Sequence, residues 1–519
     1  MLIIKDLSLY LRKDLRPLLY DFSFSLMEGM KVALIGEEGN GKSTLLKAIA
    51  RPESLRAYVE MEGEIIKTGE IIGYLPQVPD EAVLDGSVES YLRHKVGWAN
   101  LDYALYYRLL AEMGFPEERI SEKITLGQLS GGEKIKFQLL CEMLKRPTVL
   151  LLDEPSNDLD LASVQWLEHF IQGLEIPVMF VSHDELLLEN CANTIIHLEQ
   201  LIKKSKPQYT IAGLRYSEYV QNREERIIKQ TQLAKKEKEE YDAKMERYRQ
   251  IYQRVQHELR TVSRQEPSVA KNLKDKMHSV KSMGRRFERE KERMTPKPDF
   301  EQGIDVGFSD AISIPNGKRI LDLYLDVLQV GDLVLARHVS LNVVGPQKMC
   351  IVGANGSGKT TLLRRILQEL KQSSIPYGYM PQDYADTMGA GQTAVEFLAS
   401  SRKKGELTKV RTYLGSMNFT KEEMFRPLSE LSGGQRAKLY FSKMILERAE
   451  VLILDEPTRN LSPLSGPEIR AALKSFGGCI IAVSHDRKFI GEVFTQVFLL
   501  DRAGLRSINC EQFVQTEIR

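Results

Sequence analysis

Two loops of this chain have the composition of a phosphate-binding loop. Gly36–Ser43 and Gly353–Thr360 each match Gly-x-x-x-x-Gly-Lys-Ser/Thr, follow an apolar run and precede a predicted helix. Glycines let backbone N–H groups curl around phosphate oxygens, the lysine holds the β- and γ-phosphates, and the hydroxyl ligates Mg²⁺. Both loops therefore predict an ATP site with Mg²⁺. The expected nucleotide contacts are Gly36, Gly39, Asn40, Gly41, Lys42, Ser43, Thr44, Gly353, Asn355, Gly356, Ser357, Gly358, Lys359, Thr360 and Thr361.

The first loop differs from the second because it carries two adjacent carboxylates, Glu37 and Glu38. Carboxylates close to phosphates are electrostatically unfavourable unless they point to water. We therefore expect the first site to bind nucleotide more weakly than the second.

A second group of residues has the types needed to hold a magnesium ion and to activate water. Asp153 and Asp455 end apolar runs that are typical of buried strands, and Glu154 and Glu456 follow them directly. The aspartates suit the Mg²⁺ shell, and the glutamates can accept a proton from the attacking water. His183 and His485, each in Ser-His-Asp, are expected to contact the γ-phosphate and complete the catalytic set. The predicted Mg²⁺ ligands are Ser43, Gln77, Asp153, Thr360, Gln382 and Asp455.

Each half also contains a Leu-Ser-Gly-Gly tetrad, at Leu129–Gly132 and Leu431–Gly434, before an amphipathic run. A serine and two glycines at the start of a helix form an anion site, because free backbone N–H groups point outward there. If the halves pair head to tail, each ATP lies between the glycine loop of one half and the tetrad of the other. The expected tetrad contacts are Ser130, Gly131, Gly132, Ser432, Gly433 and Gly434.

The order of these motifs is the same in both halves, so the chain contains an internal repeat. Apolar runs such as Val149–Leu152 and Val451–Leu454 alternate with helical patterns, which predicts largely parallel sheets. We predict an α/β fold: two P-loop ATPase domains, residues 1–212 and 299–519, joined by a long antiparallel α-helical hairpin over residues 213–298.

The segment between the halves has a different composition. Residues 222–294 hold 21 Lys and Arg against 13 Asp and Glu. Apolar residues from Tyr241 to Val262 recur every three or four positions, as in a coiled-coil seam. Pro267 interrupts the pattern, and a second seam follows. This seam is less regular, because Gly284 and Lys291 occupy positions where an apolar residue is expected. The basic excess fits either a polyanion contact or a solvated helix surface.

The composition excludes several classes of protein. No apolar run approaches the ~18 residues of a membrane-spanning helix, and the N-terminus lacks the apolar core of a signal peptide. The five cysteines form no Cys-x-x-Cys pair, which argues against a disulfide framework or a zinc site. We expect a cytoplasmic protein with no membrane partner.

The motifs together identify a family resemblance. Both halves resemble the nucleotide-binding domains of ABC ATPases over essentially their whole length. Two such domains with a long charged helical linker resemble the ABC-F ATPases that associate with ribosomes. The resemblance implies that the linker enters the exit (E) site of a bacterial ribosome and contacts large-subunit ribosomal RNA and the P-site tRNA. It also implies a monomer in which the two halves of one chain pair.

Three features resemble the antibiotic-resistance members of the Vga/Lsa type. Gln77 and Leu129 are 52 residues apart and Gln382 and Leu431 are 49 apart, which leaves no room for the extra arm of many housekeeping members. The linker hairpin is long. In addition, Ser462 stands where the loop after the second Asp-Glu pair usually has aspartate, so the two ATP sites are expected to be inequivalent.

The resemblance also suggests roles for an aromatic residue and for the linker tip. Tyr10 lies 26 residues before Gly36 and is a candidate for stacking on adenine, whereas Val327–Val330 offers no aromatic, so an aliphatic residue is expected there. The tip is expected to approach ribosomal RNA or tRNA through Thr261, Val262, Ser263, Arg264, Gln265, Glu266, Pro267, Ser268 and Lys271.

Three functions remain open from the sequence. The first is a ribosome-protection ATPase acting against lincosamides, pleuromutilins and streptogramin A. The second is a housekeeping ABC-F translation factor. The third is the tandem ATPase subunit of a separate membrane permease, against which the long hairpin argues because such pairs need only a short connector.

Overall fold

The chain divides into two compact units. One contains Met1–Tyr216 and Glu301–Arg519, and the other contains Ser217–Phe300. Both predicted ATPase domains thus fall in one unit, and most of the predicted linker, residues 213–298, falls in the other. The exact domain bounds stay predictions. The computed structural model describes residues 1–77, 85–97, 101–157, 159–201, 206–261, 267–295, 312–384, 388–389, 391–399, 401, 403–417, 419–459 and 461–509.

The first half of the larger unit alternates strands with helices. Its strands are β1 (Leu2–Leu11), β2 (Pro17–Leu26), β3 (Lys31–Ile35), β4 (Val59–Ile66), β5 (Ile72–Leu75), β6 (Val149–Asp153), β7 (Val178–Val181), β8 (Thr194–Gln200) and β9 (Lys206–Ala212). Its helices are α1 (Lys42–Ala50), α2 (Val88–Val96), α3 (Tyr103–Met113), α4 (Gly131–Met143), α5 (Leu161–Gly173) and α6 (Glu185–Cys191).

The linker unit and the second half follow in chain order. The linker helices are α7 (Tyr216–Thr261) and α8 (Pro267–Arg293). The strands of the second half are β10 (Arg319–Val330), β11 (Leu333–Val344), β12 (Lys348–Val352), β13 (Tyr377–Met380), β14 (Val451–Asp455), β15 (Cys479–Val483), β16 (Gln496–Asp501) and β17 (Gly504–Ile508). Its helices are α9 (Lys359–Gln372), α10 (Ala394–Leu398), α11 (Lys404–Ser416), α12 (Lys421–Phe425), α13 (Gly433–Leu446), α14 (Gly466–Ser475) and α15 (Arg487–Val493).

The two halves contain the same six-stranded sheet. The strand order is β5-β6-β7-β3-β8-β9 in the first half and β13-β14-β15-β12-β16-β17 in the second. Five strands of each sheet are parallel, and the last is antiparallel to its neighbour. Every residue of β3, β6, β14 and β15 is buried, which explains why these segments are continuous apolar runs. The predicted α/β fold is confirmed.

The halves differ in their smaller antiparallel sheets. The first half has three strands in the order β2-β1-β4, whereas β10 and β11 of the second half pair only with each other. The reason is visible in the chain, because residues 373–376 alone separate α9 from β13.

The linker unit is an antiparallel helical hairpin, as predicted. The Tyr248 ring meets Phe287 edge to face at 5.9 Å, and the backbone N–H of Thr295 donates to Glu237 Oε2 over 2.6 Å. A Cβ on Gly284 would lie 2.5 Å from the Tyr248 hydroxyl, so glycine at this seam position makes room for the tyrosine. Val255 and Val280 are buried in the hairpin.

The predicted tip lies mostly outside the described residues. Thr261 and Lys271 are exposed. Pro267 and Ser268 belong to the first turn of α8, and only their backbone is described. The tip residues outside the described part of the chain are Val262, Ser263, Arg264, Gln265 and Glu266.

Candidate nucleotide-binding and hydrolysis sites

The glycine loops follow the central strands β3 and β12 and lead into α1 and α9. Gly36 has φ 141° and Gly353 has φ 156°, and both pack against backbone. A Cβ on Gly36 would lie 2.2 Å from the Leu198 carbonyl oxygen, and one on Gly353 would lie 2.5 Å from that of Leu500. Only glycine fits such close approach in this conformation, so these positions shape the curl of the loop.

A Gly36→Ala substitution is expected to destabilise the first half and weaken nucleotide binding there. The new methyl group must displace the chain at Leu198, and such backbone strain costs about 1–3 kcal/mol or more. Thermal denaturation should show a lower midpoint. Gly39→Ala is the matched control, since Gly39 also has a positive φ of 83° but has open space around it. Equal losses in the two variants would contradict the steric explanation.

The lysine of each glycine loop points back into the turn that the loop forms. Lys42 Nζ donates to the carbonyl oxygens of Gly36 and Glu37 at 2.7 and 2.9 Å. Lys359 Nζ makes the equivalent bonds to Gly353 and Ala354 at 2.8 and 3.0 Å. Burial lowers the pKa of Lys359, although nearby carboxylates, Glu456 first, oppose the effect. Both ammonium groups are thus positioned to exchange carbonyl oxygens for phosphate oxygens.

Four of the predicted magnesium ligands meet in two pairs at the carboxyl ends of the strands, Ser43 with Asp153 and Thr360 with Asp455. Ser43 Oγ donates to Asp153 Oδ1 at 2.8 Å, and burial raises the pKa of Asp153 to about 6. Burial also raises the pKa of Asp455, although the neighbouring Thr360 side chain acts to lower it. Neither buried oxygen of Asp455 has a partner in hydrogen-bonding geometry among the described residues. Such orphaned carboxylate oxygens beside a threonine hydroxyl suit a hard divalent cation.

The two candidate general bases share an uncommon backbone conformation. Glu154 and Glu456 have φ of 51° and 50°, in the left-handed region. This conformation costs a non-glycine residue about 1–3 kcal/mol and persists where surrounding structure holds it. Here the Glu154 and Glu456 N–H groups donate to Val181 and Val483 at 3.1 and 2.9 Å. The bend turns both side chains toward the Ser-His-Asp loops.

The histidines contact these glutamates, but unequally. His183 Nε2 lies 2.8 Å from Glu154 Oε1, whereas His485 Nε2 lies 3.5 Å from Glu456 Oε1. Burial opposes ionisation of Glu154, but the neighbouring His183 outweighs it and the pKa of Glu154 is lowered. Burial and the nearby Asp455 raise the pKa of Glu456 to about 8. Burial and then Lys359 lower the pKa of His485 to about 4. The two sites therefore differ electrostatically.

The tetrads begin helices α4 and α13 with the same capping arrangement. Ser130 Oγ accepts the N–H of Glu133 at 3.2 Å, and Ser432 Oγ accepts that of Gln435 at 3.2 Å. The side chain at the third helical position bonds back to the serine N–H in each case, which forms a capping box. A Cβ on Gly132 would lie 2.4 Å from Ser163 Oγ, so glycine allows α5 to approach the tetrad.

The second glycine loop and the first tetrad line one cavity of about 640 Å³. Such a volume suits a nucleotide-sized ligand. Gln77 and His183 of the first half also reach it, as does Leu335, an aliphatic side chain beside the loop. The predicted site residues that line the cavity are Gln77, Gly131, His183, Asn355, Gly356, Gly358, Lys359, Thr360, Thr361, Gln382, Asp455, Glu456 and His485. The structure thus brings together residues from both halves, as head-to-tail pairing requires.

The first glycine loop faces the second tetrad through a contact that the sequence did not suggest. The backbone N–H of Gly433 donates to a carboxylate oxygen of Glu38. Glu38 is exposed, and its carboxylate reaches the start of α13. The weaker nucleotide binding that we expected from Glu37 and Glu38 stays a prediction.

Two other predicted residues have defined places. Tyr10 is half-buried in β1, opposite Pro17 and Glu60 on the neighbouring strands, and its stacking on adenine stays a prediction. Ser462 is buried, and its hydroxyl has no hydrogen-bond partner among the described residues.

A buried ionic cluster joins the halves beside the Ser-His-Asp loops, and none of the motifs indicates it. Arg470 bonds Glu185, with Nη2 and Oε2 3.3 Å apart, and Arg487 bonds Glu168, with Nη1 and Oε2 3.3 Å apart. Lys488 Nζ lies 3.1 Å from Glu185. Both acidic residues belong to the first half, and the three basic residues belong to the second.

The cluster follows the internal repeat. Glu168 and Arg470 are 302 positions apart, as are Glu185 and Arg487, and the Asp-Glu pairs have the same offset. Equivalent positions of the two halves thus carry opposite charges, and each glutamate meets the arginine at the other position. A comparison of the halves at this offset would have revealed the pattern.

Comparison with known proteins gives the family. The model of the ABC transporter family matches residues 19–157 and 336–459. The translational throttle protein EttA of Haemophilus influenzae is 29% identical over 93% of this chain and 89% of its own length. ABC transporter F family member 2 of Arabidopsis thaliana is 25% identical over 96% of this chain and 78% of its own.

Further comparisons agree on the architecture. The putative ATP-binding protein YdiF of Bacillus subtilis is 28% identical over 92% of this chain and 76% of its own. A solved structure of RNase-L Inhibitor superposes with a TM-score of 0.59 at 17% identity, over 99% of this chain and 93% of that one, which shows the fold alone. The chain therefore belongs to the ABC transporter family of ATP-binding proteins, and its full-length relatives are of the ABC-F type.

Proposed function

We propose that this protein is an ATPase that binds the bacterial ribosome and protects it from antibiotics acting at the peptidyl-transferase centre. The observation that supports ATP hydrolysis is the cavity lined by both halves. Hydrolysis in this cavity would depend on the pairing of the halves. A Mg²⁺ ion at each site would neutralise phosphate charge. Its proposed ligands are Ser43 and Asp153 at one site and Thr360 and Asp455 at the other, together with Gln77 and Gln382. Lys42 and Lys359 hold phosphate oxygens, and Glu154 and Glu456 accept the proton of the attacking water.

The basic hairpin supports the ribosomal part. Residues 222–294 carry an excess of eight positive charges, and such a surface binds RNA phosphates in a salt-sensitive way. No helix among the described residues is long and apolar enough to cross a bilayer. In the proposed cycle, ATP binding closes the halves of a monomer and the linker enters the E site. Hydrolysis then permits release into the cytoplasm.

Relatives named for translation support the same partner. EttA is named as an energy-dependent translational throttle, and a structural relative, ABCE1, is described as ribosome-bound in a model with archaeal Pelota. The name of EttA also favours a second candidate, a housekeeping translation factor. Susceptibility testing separates the two: expression should raise resistance to lincosamides, pleuromutilins and streptogramin A. No change for any of these drugs would leave the housekeeping role.

Ribosome binding itself is tested by co-sedimentation. The purified protein with a non-hydrolysable ATP analogue should sediment with ribosomes at low ionic strength and dissociate as salt rises, because phosphate contacts release counterions. Recovery with membranes and not with ribosomes would favour the ATPase subunit of a separate permease.

Deletion of Thr261–Lys271 is expected to abolish resistance while ATPase activity stays near that of the wild type. The tip is expected to approach ribosomal RNA or tRNA, whereas the hydrolysis residues all lie in the other unit. The measurements are the minimal inhibitory concentration and the rate of phosphate release. A Gly-Ser replacement of equal length is the control for hairpin length. Full resistance after the deletion would show that the tip is dispensable.

A further inference from the structure

The two glycine loops differ at one position that faces the opposite tetrad. Glu38 in the first loop corresponds to Asn355 in the second, since both are two residues after the first glycine. Asn355 lines the cavity that also contains Gly131 of the first tetrad. Glu38 instead accepts a hydrogen bond from the N–H of Gly433 in the second tetrad. One site thus presents a neutral amide and the other a carboxylate.

The Gly433 N–H is a favourable place for that carboxylate. Gly433 is the first residue of α13, a helix of 14 residues. The free N–H groups at the start of a helix attract anions. Ser432 Oγ is already engaged with the N–H of Gln435. A hydrogen bond from an amide to a carboxylate is stronger than one between neutral groups. Glu38 therefore uses a tetrad donor that is predicted to contact ATP. Since the tetrad lies opposite the glycine loop, the terminal γ-phosphate is the part of ATP that would reach this donor.

We propose that Glu38 is a latch that competes with the γ-phosphate for the second tetrad. The proposal rests on the proposed binding of ATP between a glycine loop and the opposite tetrad. At the first site, ATP must displace the Glu38 carboxylate from Gly433 and then remain beside it. ADP lacks the group that reaches the tetrad, so it leaves the latch in place. The latch makes the first site harder to load with ATP than the second, without the same penalty for ADP.

The test is a substitution that copies the second loop, Glu38→Asn. The full chain also carries Lys359→Ala, which removes nucleotide binding at the second site, so that fluorescent ATP and ADP analogues report on the first. We expect ATP affinity to rise about tenfold, which corresponds to about 1.4 kcal/mol, and ADP affinity to change little. The reverse variant, Asn355→Glu with Lys42→Ala, should lose ATP affinity at the second site.

Glu37→Gln is the matched control, because it removes the neighbouring negative charge and leaves Glu38 in place. An equal gain from Glu37→Gln would show a general charge effect and overturn the latch. Unchanged ATP affinity in Glu38→Asn, or an equal gain for ADP, would overturn it as well. A wild-type chain that binds ATP at neither site would instead refute the proposed function.

Discussion

Replacing Glu154 and Glu456 together by glutamine is expected to lower steady-state ATP hydrolysis by about 10²–10⁴-fold, the usual contribution of a positioned general base. Glutamine has nearly the same shape, but it cannot accept the proton of the attacking water. Both positions have the same left-handed backbone beside a histidine, and glutamine can keep that geometry. Phosphate release measures turnover, and equilibrium binding of a fluorescent ATP analogue checks that the nucleotide is retained.

The same double variant tests the link between hydrolysis and release. With ATP bound and not hydrolysed, the protein should stay closed and accumulate on ribosomes. Sedimentation of cell lysates should therefore show higher ribosome occupancy than for the wild type. Lys42→Ala with Lys359→Ala is the control, because it blocks nucleotide binding and should reduce occupancy. If the glutamine variant keeps a tenth of wild-type turnover, these glutamates are not the bases. If its occupancy does not rise, ATP does not gate ribosome binding.

The motifs were predictable from sequence because each is a short local arrangement with one structural solution. A glycine loop between a buried strand and a helix fixes where Lys42 and Lys359 lie. Parallel strands place the residues after β6 and β7 beside the loop after β3. Since two anion sites per half require head-to-tail pairing, even the two-sided cavity was an expectation from sequence.

The contacts between the halves were harder to predict because they join residues far apart in the chain. Glu38 and Gly433 are separated by 395 positions, and only the paired fold brings them together. The preference of Glu38 for a helix N–H over water depends on that geometry. The left-handed backbone of Glu154 likewise follows from its bond to Val181, which no local pattern indicates.

The ionic cluster was predictable from sequence in one respect and not in another. Its opposite charges at equivalent positions were present in the sequence, but their burial was not. Arg470 and Arg487 are 4% and 3% exposed, and Glu168 and Glu185 are also buried. A Cβ on Gly466 would lie 2.2 Å from Glu185 Oε1, so glycine at the start of α14 admits the carboxylate. The arrangement favours pairing of unlike halves, because two first halves would bring glutamates together and two second halves would bring arginines together.

Reversing one charge in this cluster is expected to be among the most destabilising single changes on this surface. Arg470→Glu removes the buried arginine partner of Glu185, which keeps its contact with Lys488, and adds a second negative charge beside Glu185 and Glu492. Removing one partner of a buried ion pair costs about 3–5 kcal/mol. The midpoint of urea unfolding should fall accordingly, and the rate of ATP hydrolysis should fall because the cavity needs both halves. Arg506→Glu is the matched control, since its pair with Asp501 is exposed and such pairs contribute about 0–1 kcal/mol.

Restoring the opposite signs should recover most of that loss. In the variant with Glu185→Arg and Arg470→Glu, the pair is re-formed with its charges exchanged. Lys488 then faces an arginine in place of Glu185, and Glu492 faces a carboxylate in place of Arg470. Adding Lys488→Glu should relieve the first of these repulsions and bring the urea midpoint closer to the wild-type value. Recovery by the exchanged pair would show that charge complementarity, and not the arginine side chain alone, holds the halves together. If the exchanged pair is as unstable as Arg470→Glu alone, the cluster does not specify the pairing, and the apolar packing around α14 and α15 must do so.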